Sequence, residues 1–406
     1  MLIVMKFGGS SLATPAHIRR AAALARRRRE EGDQVVVVVS AQGDTTDALL
    51  AQARELSREP QKRENDVLLS CGEQMSMALF SMALWEMGCP AQSFCGWQAG
   101  IRTGGEHGRA RILRVEPQRI RSALDEGKVV VAAGFQGVDA LGDITTIGRG
   151  GSDTTAVALG AALGADVCQI YTDVRGVFSA DPRLVSDAVL HREISYDEML
   201  ELASLGAKVL HSRAVELARE TGVRIQVCSS LCTGDRGTLV GGECPGSRVR
   251  GVTSEAPVAM FTVHGLPAGN ATSRLFTALA ASGVSIDVII RSPGPGEDRG
   301  RVSFSVRESD CAAAGAVLRA CGEELGIEGF VQEPGLAKIS AVGAGMTDGC
   351  GVAAQMLRAL EGGHIEPRYI TTGEIRISVL VPREEEGAAV RLIHESFFPQ
   401  PGKAEE

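Results

Sequence analysis

Residues 35 to 39 are five consecutive valines, and nothing else in the chain narrows its fold as much. β-branched side chains favour extended backbone, and a run without polar alternation needs apolar cover on both faces. A strand of that kind belongs to a parallel sheet layered with helices. Gln34 to Ser40 is therefore read as a buried strand, with the apolar runs Leu2 to Phe7, Val129 to Phe135 and Val167 to Thr172 as its neighbours. Amphipathic stretches separate them. Thr14 followed by Pro15 has the form of an N-cap with proline at the first helical position, opening a helix to about Arg29.

That alternation predicts an α/β domain over residues 1–245. From Cys232 to Gly251 the texture turns to Gly, Pro and Ser, as in a linker, and the boundary is placed near residue 245. Residues 250–406 then contain an internal repeat. Val258 to Val263, Leu275 to Leu279 and Val284 to Ile290 recur as Ala337 to Val342, Met356 to Leu360 and Ile365 to Ile370. Each copy adds a strand and a helix: Arg301 to Val306 then Ala312 to Leu325, and Ile375 to Val381 then Ala388 to Phe397. The predicted unit is β-α-β-β-α twice over, packed side by side with a ligand site at the interface.

Charge excludes some functions. A formal net charge of -8 does not suit a nucleic-acid binder, which holds a phosphate backbone with clustered Lys and Arg. The one basic run, Arg26 to Arg29, is answered at once by Glu30 and Glu31 and reads as a solvated helix end. Ten cysteines without a C-x-x-C pair or a His/Cys cluster indicate neither disulfides nor a zinc site, and they suit a reducing cytosol. Met1 to Met5 is too short for a signal peptide, and no membrane span is expected.

Chemistry concentrates after the strands. Lys6-Phe7-Gly8-Gly9-Ser10-Ser11 leaves a strand through glycines whose amides can approach a phosphate, with Lys6 placed to meet charge on a phosphoryl group. It lacks the spacing of a Walker loop, and an ordinary tight turn has the same composition. Ser40 to Asp47, rich in hydroxyls and turn formers, follows the valine run. Glu73, after Gly72 and at the start of an apolar helix, can bind an ammonium group or satisfy the helix N-terminus. Thr146 to Ala156 is the most telling segment: Arg149 offers a planar fork for a carboxylate, Gly148, Gly150 and Gly151 expose amides, and Ser152 and Asp153 add polar contacts. Tyr171 to Val174 ends a strand, and Phe178 to Arg183 contains an Asp-Pro turn.

Taken in order, these segments resemble the aspartate kinases of the amino-acid kinase superfamily, over essentially the whole chain. The resemblance rests on K-F-G-G-S-S from Lys6, V-S-A-x-G-D-T-T-D from Val39, G-R-G-G-S-D-T-T-A from Gly148, Y-T-D-V-x-G-V from Tyr171 and A-S-L-G-A-K-V-L-H from Ala203. The repeated tail resembles paired ACT domains, which sense end-product amino acids. The implied fold is an amino-acid kinase domain, a largely parallel sheet between helices, followed by two α+β ACT domains. The implied reaction is phosphorylation of the side-chain carboxylate of L-aspartate by ATP, with Mg2+ arriving on the nucleotide. By position, the resemblance implies that Lys6 stabilises the transferring phosphoryl group and that Asp153 orders the reacting end. Ser40, Thr46, Glu73, Phe135, Arg149 and Ser152 would surround aspartate, Arg149 at its α-carboxylate and Glu73 at its ammonium. Gly8, Gly9, Thr172, Asp173, Phe178, Arg183 and Lys208 would contact ATP. A cytoplasmic homodimer, or a heterotetramer with a shorter ACT chain, is the implied assembly.

Departures from the family pattern fall mostly in the tail. Arg291-Ser292 stands where a Gln-Asn effector pair is usual, and Asp348-Gly349-Cys350 where Ser-His-Pro is frequent. The expectation is that control by lysine and threonine is weakened, lost or redirected. His211-Ser212-Arg213 replaces a frequent His-Pro-Arg without removing a charged contact. Two rival readings are a kinase of another acidic metabolite and a catalytically silent sensor.

Overall fold

The computed structural model describes residues 1–207, 209–232, 234–242, 244, 248–294, 296–346 and 351–399. The chain forms two compact units: Met1–Phe178 with Val189–Pro245, and Ser179–Ala188 with Gly246–Glu406. Ten residues between Phe178 and Val189 thus leave the first unit and belong to the second.

The first unit is built on an eight-stranded sheet in the order Glu193–Ile194, Thr238–Val240, Ile225–Ser229, Val167–Thr172, Leu2–Phe7, Gln34–Val39, Val129–Ala133, Ala91–Phe94. Every pairing is parallel except that of Ile225–Ser229 with Thr238–Val240. The valine run lies near the centre and is fully covered, as its composition requires. Strand alternation then sorts the faces. Ile3, Met5, Phe7, Val35, Val37 and Val39 pack with Ile18, Ala22, Phe80 and Leu84 from the helices Pro15–Glu30 and Lys62–Glu86. Lys6 therefore points to the other face with Val4, where the helix Gly151–Leu163 lies, buried from Gly151 to Gly160. Thr14 caps the first helix by accepting from the His17 N–H at 3.3 Å. A smaller sheet joins Arg111–Val115, Ile101–Gly104, Gln136–Val138 and Ile144–Thr146.

Two expected limits shift. The strand beginning at Val129 stops at Ala133, because Phe135 turns into the left-handed region with φ 67°. The stretch expected to be linker contains the strand Thr238–Val240, paired within the first unit's sheet.

The second unit repeats β-α-β-β-α twice, but both copies share one six-stranded sheet, joined where Gly251–Pro267 pairs antiparallel with Gly329–Val342. One helix-covered core gathers Phe261, Leu275, Phe304 and Leu318; the other gathers Ile339, Met356, Val379 and Ile393. Ala180 and Val185 from the transferred segment enter the latter core. There Ser179 Oγ meets Nε2 of the fully buried His394 at 2.8 Å. The strand expected from Ile365 begins only at Tyr369; His364 turns with φ 57°, and Pro367 cannot donate to a ladder. Asp348, Gly349 and Cys350, where the effector pattern departs, lie outside the described residues.

Candidate active site

Four adjacent parallel strands of the first unit, Val167–Thr172, Leu2–Phe7, Gln34–Val39 and Val129–Ala133, end on one edge of the sheet. Ligands of open α/β sheets bind outside the carboxyl ends of strands. Gly8 and Gly9, Ser40, Phe135, and Thr172 and Asp173 sit at or just after these ends, and Thr46 lies in the first turn of the helix Thr45–Leu56 that follows Ser40. Backbone hydrogen bonds hold the segments to one another: the Ser40 N–H donates to the Phe7 carbonyl at 3.1 Å, Gly43 to Gly9 at 3.0 Å and Gly134 to Val39 at 3.0 Å. The Thr172 carbonyl accepts from the Ser230 N–H at 2.9 Å. Gly9 is required for space: a Cβ there would lie 2.8 Å from the Ala41 carbonyl oxygen.

Lys6 reaches across to the helix that begins at Gly151. Its Nζ is 2.6 Å from Asp153 Oδ1, with the two side chains 13% and 12% exposed. Nζ also stands over the glycine turn, 3.4 Å from where a Gly8 Cβ would be. A cation, a turn of glycine amides and the positive end of a buried helix thus share one place.

The segment before that helix is folded tightly. Gly148 and Gly150 have φ 84° and 70°. A Cβ on Gly150 would come within 2.0 Å of the His211 ring, and one on Gly134 within 2.8 Å of Ser152 Oγ. Phe135 is held in its left-handed conformation from both sides: its N–H donates to Thr155 Oγ1 at 3.2 Å, and its carbonyl accepts from the Ile147 N–H at 2.9 Å. Arg149 projects into solvent. Burial, with smaller contributions from the Arg213 and Arg149 cations, holds His211 below the usual imidazole range, and its Nδ1 accepts from the Arg213 N–H at 3.3 Å.

Glu73 corrects one expectation. It does not open a helix; it lies midway along Lys62–Glu86, which runs straight through Gly72. The glycine is tolerated because Ala41 packs there, 2.8 Å from the position of a Cβ. Glu73 is 3% exposed, and its Oε1 accepts from the Ala41 N–H at 3.0 Å while Oε2 has no partner. Burial pushes its carboxyl up to about 7. A buried carboxylate with one bonded and one unpartnered oxygen is suited to a small cation.

Two of the expected residues are held by other contacts. Arg183 belongs to the segment carried by the second unit, where its guanidinium meets Asp181 at 2.6 Å. Phe178 ends the first unit's first segment and bridges to Leu190. Lys208 lies outside the described residues. Conversely, Asp66 escapes sequence reading. Only 1% exposed, it accepts at Oδ2 from the N–H groups of Gly108 and Thr146, each at 3.0 Å, and at Oδ1 from Thr146 Oγ1 at 2.6 Å. His107 Nδ1 lies 2.9 Å from the same Oδ2. Asp66 thereby ties the helix that carries Glu73 to the strand leading into the Arg149 loop. Its one sequence signal is its position seven residues before Glu73, two turns away on a similar face.

A model of the amino acid kinase family matches residues 1–229, and an ACT domain model matches residues 339–397. An aspartokinase of Geobacillus stearothermophilus is 47% identical, over 100% of this chain and 98% of its own length. Aspartokinase 2 of Bacillus subtilis is 46% identical, over 98% and 97%. Among solved structures, E. coli aspartokinase III in complex with aspartate and ADP aligns with a TM-score of 0.83 at 27% identity, over 98% of this chain and 100% of that one. Its complex with lysine and aspartate aligns with a TM-score of 0.76, also at 27% identity.

Proposed function

Given that the chain belongs to the amino acid kinase family, and within it to the aspartokinases, we propose that the residues gathered at the strand ends are the ones that carry its reaction. The reaction is transfer of a phosphoryl group from ATP to the side-chain carboxylate of L-aspartate, a step of amino-acid biosynthesis. The substrate carboxylate oxygen attacks the γ-phosphorus, the bond to the β,γ-bridging oxygen breaks, and ADP departs. No protein nucleophile takes part. Catalysis then rests on positioning and on neutralising charge.

The observation that carries the assignment is the Lys6–Asp153 pair beside the glycine turn, with Glu73 Oε2 unpartnered at the same sheet edge. In this reading Lys6 meets charge on the transferring phosphoryl group, and Asp153 holds Lys6 in place. Gly8 and Gly9 offer amides to the phosphates, with Thr172 and Asp173 toward the nucleotide; for Phe178, Arg183 and Lys208 a nucleotide role rests on the sequence motifs alone. Ser40, Thr46, Phe135 and Ser152 line the aspartate site, and Glu73 and Arg149 take its ammonium and α-carboxylate. Among the described residues Asp153 at this edge is already paired with Lys6. That fits Mg2+ held chiefly by phosphates and water, where it neutralises the nucleotide's charge. We also propose residues 1–245 as the catalytic domain, residues 250–406 as the regulatory pair, and a cytoplasmic dimer or heterotetramer. The nine described cysteines are all free thiols, in keeping with a reducing compartment.

Release of ADP with Mg-ATP, compared across L-aspartate, L-glutamate and N-acetylglutamate, tests the assignment. Turnover with aspartate is expected, and Arg149→Ala should raise the KM for aspartate by about 100-fold, the loss of a charge-assisted bidentate contact. An unchanged KM would remove Arg149 from the site. Titrating the same assay with lysine and threonine checks the weakened control proposed from Arg291 and Ser292; strong cooperative inhibition would sink it.

The buried Glu73 adds a pH dependence. Free Glu73 titrates at about 7, and only its ionised form attracts an ammonium group. As pH falls below that value, the KM for aspartate should rise by about tenfold per unit, while the KM for ATP stays flat. Glu73→Gln should give a uniformly high KM for aspartate without this slope. A slope retained in the variant would show that another group is responsible.

A further inference from the structure

Arg149 is exposed and stands between two glycines of positive φ, 84° at Gly148 and 70° at Gly150. Glycines lose the most conformational freedom on ordering, so a loop of this kind binds weakly unless something else holds it. The start of the helix Ser212–Thr221, in the same unit, touches the loop on both sides of Arg149. Before it, Arg213 Nη1 donates to the Ile147 carbonyl at 3.2 Å. After it, the His211 ring fills the space that Gly150 leaves, with Cγ 2.0 Å and Cδ2 2.4 Å from where a Cβ would be. The ring is itself fixed, because His211 is the N-cap of that helix and its Nδ1 accepts from the Arg213 N–H at 3.3 Å.

We propose that His211 and Arg213 are positioning residues for the acceptor substrate: they clamp residues 148–150 in the conformation in which Arg149 meets the α-carboxylate, a role that rests on the assignment of Arg149 to that group. Both ends of the loop are then defined. Ile147 is buried and its N–H already donates to the Phe135 carbonyl, so the bond from Arg213 fixes its remaining backbone group. Past Arg149, the Gly151 N–H donates to the Gly148 carbonyl at 3.0 Å and closes the turn, so a shift at either end carries the Arg149 backbone with it. The clamp is rigid because its helix is. Ala214, Val215 and Ala218 are buried, and the helix packs against Gly151–Leu163, the one that the Arg149 loop introduces. Loop and clamp therefore keep a fixed relation, and the ordering of the two glycines is complete before aspartate arrives.

The experiment is steady-state kinetics of the full chain, with aspartate and ATP each varied, on Arg213→Met, Arg213→Lys, His211→Asn, Arg149→Ala and the double variant Arg213→Met/Arg149→Ala. Arg213→Met and His211→Asn should each raise the KM for aspartate by about tenfold, while kcat stays within about twofold and the KM for ATP is unchanged. Arg213→Lys, which keeps a donor for the Ile147 carbonyl, should recover most of the loss. Asparagine is also a good N-cap, so in His211→Asn the amides of residues 148–151 should exchange with deuterium faster while those of the helix Ser212–Thr221 do not. In the Arg149→Ala background Arg213→Met should cost nothing further, because it acts through the residue already removed. An unchanged KM for aspartate in both Arg213→Met and His211→Asn, with Arg149→Ala impaired, overturns the proposal. So do additive losses in the double variant, which would mean that Arg213 binds the substrate itself, and an equal rise in both KM values, which would mean a general loss of structure. No effect of Arg149→Ala instead removes the reading of Arg149, and the clamp's purpose with it.

Discussion

Lys6→Met is expected to lower kcat by about 1,000-fold while the KM for aspartate moves little, since a preorganised charge that acts on the transition state is worth two to three orders of magnitude. Lys6 stands on a central strand whose neighbours Met5 and Phe7 face the opposite core, and its Nζ pairs with Asp153 beside the glycine turn. Removing it has a second consequence, because Asp153 is left largely buried without its cation, which costs about 3 kcal/mol. The double variant Lys6→Met/Asp153→Asn separates the two effects. It should regain most of the lost stability in urea denaturation and none of the lost turnover. A single variant within tenfold of wild-type kcat would remove Lys6 from the chemistry.

Asp66→Ala should be strongly destabilising. Three donors that converge on one buried carboxylate, from Gly108 and from the Thr146 backbone and hydroxyl, would lose their acceptor together. Stranding buried donors costs about 1–3 kcal/mol each, and some relaxation is inevitable, so a total of about 4 kcal/mol is expected. Asp66→Asn preserves the shape but presents an amide that can accept at only one atom, and about half that loss should follow. Because Thr146 leads into Ile147, whose N–H holds the strained Phe135, surviving Asp66→Asn enzyme should also bind aspartate more weakly. The midpoint of urea unfolding and the KM for aspartate read the two effects. A midpoint unchanged in Asp66→Ala would mean that water replaces the carboxylate, and the positioning role would fall.

Much of this site was legible residue by residue. Lys6, Gly8 and Gly9 stand out as a glycine turn straight after an apolar run, a composition that an ordinary tight turn shares, and Gly148 to Asp153 stands out more through its density of glycine and polar groups. Glu73 was legible as a chemical group but misplaced as a helix start, since Gly72 looks like a breaker until Ala41 is seen to need the space. Asp66 was invisible, as nothing in a polar residue near a helix start distinguishes burial from solvation. Its donors lie forty to eighty positions away. Arg183 reads as continuous with Phe178, but the chain hands residues 179–188 to the other unit.

The sequence by itself determined the layered parallel sheet, the repeated tail and the residue types at each strand end, because strand burial, helix caps and glycine turns are local consequences of side-chain shape. Only the tertiary structure decided that Lys6 pairs with Asp153 and that Glu73 keeps one oxygen unpartnered. Those facts depend on which faces meet across the sheet, and contacts between residues distant in the chain are settled by packing the whole unit, where burial and the satisfaction of every polar group must be met at once.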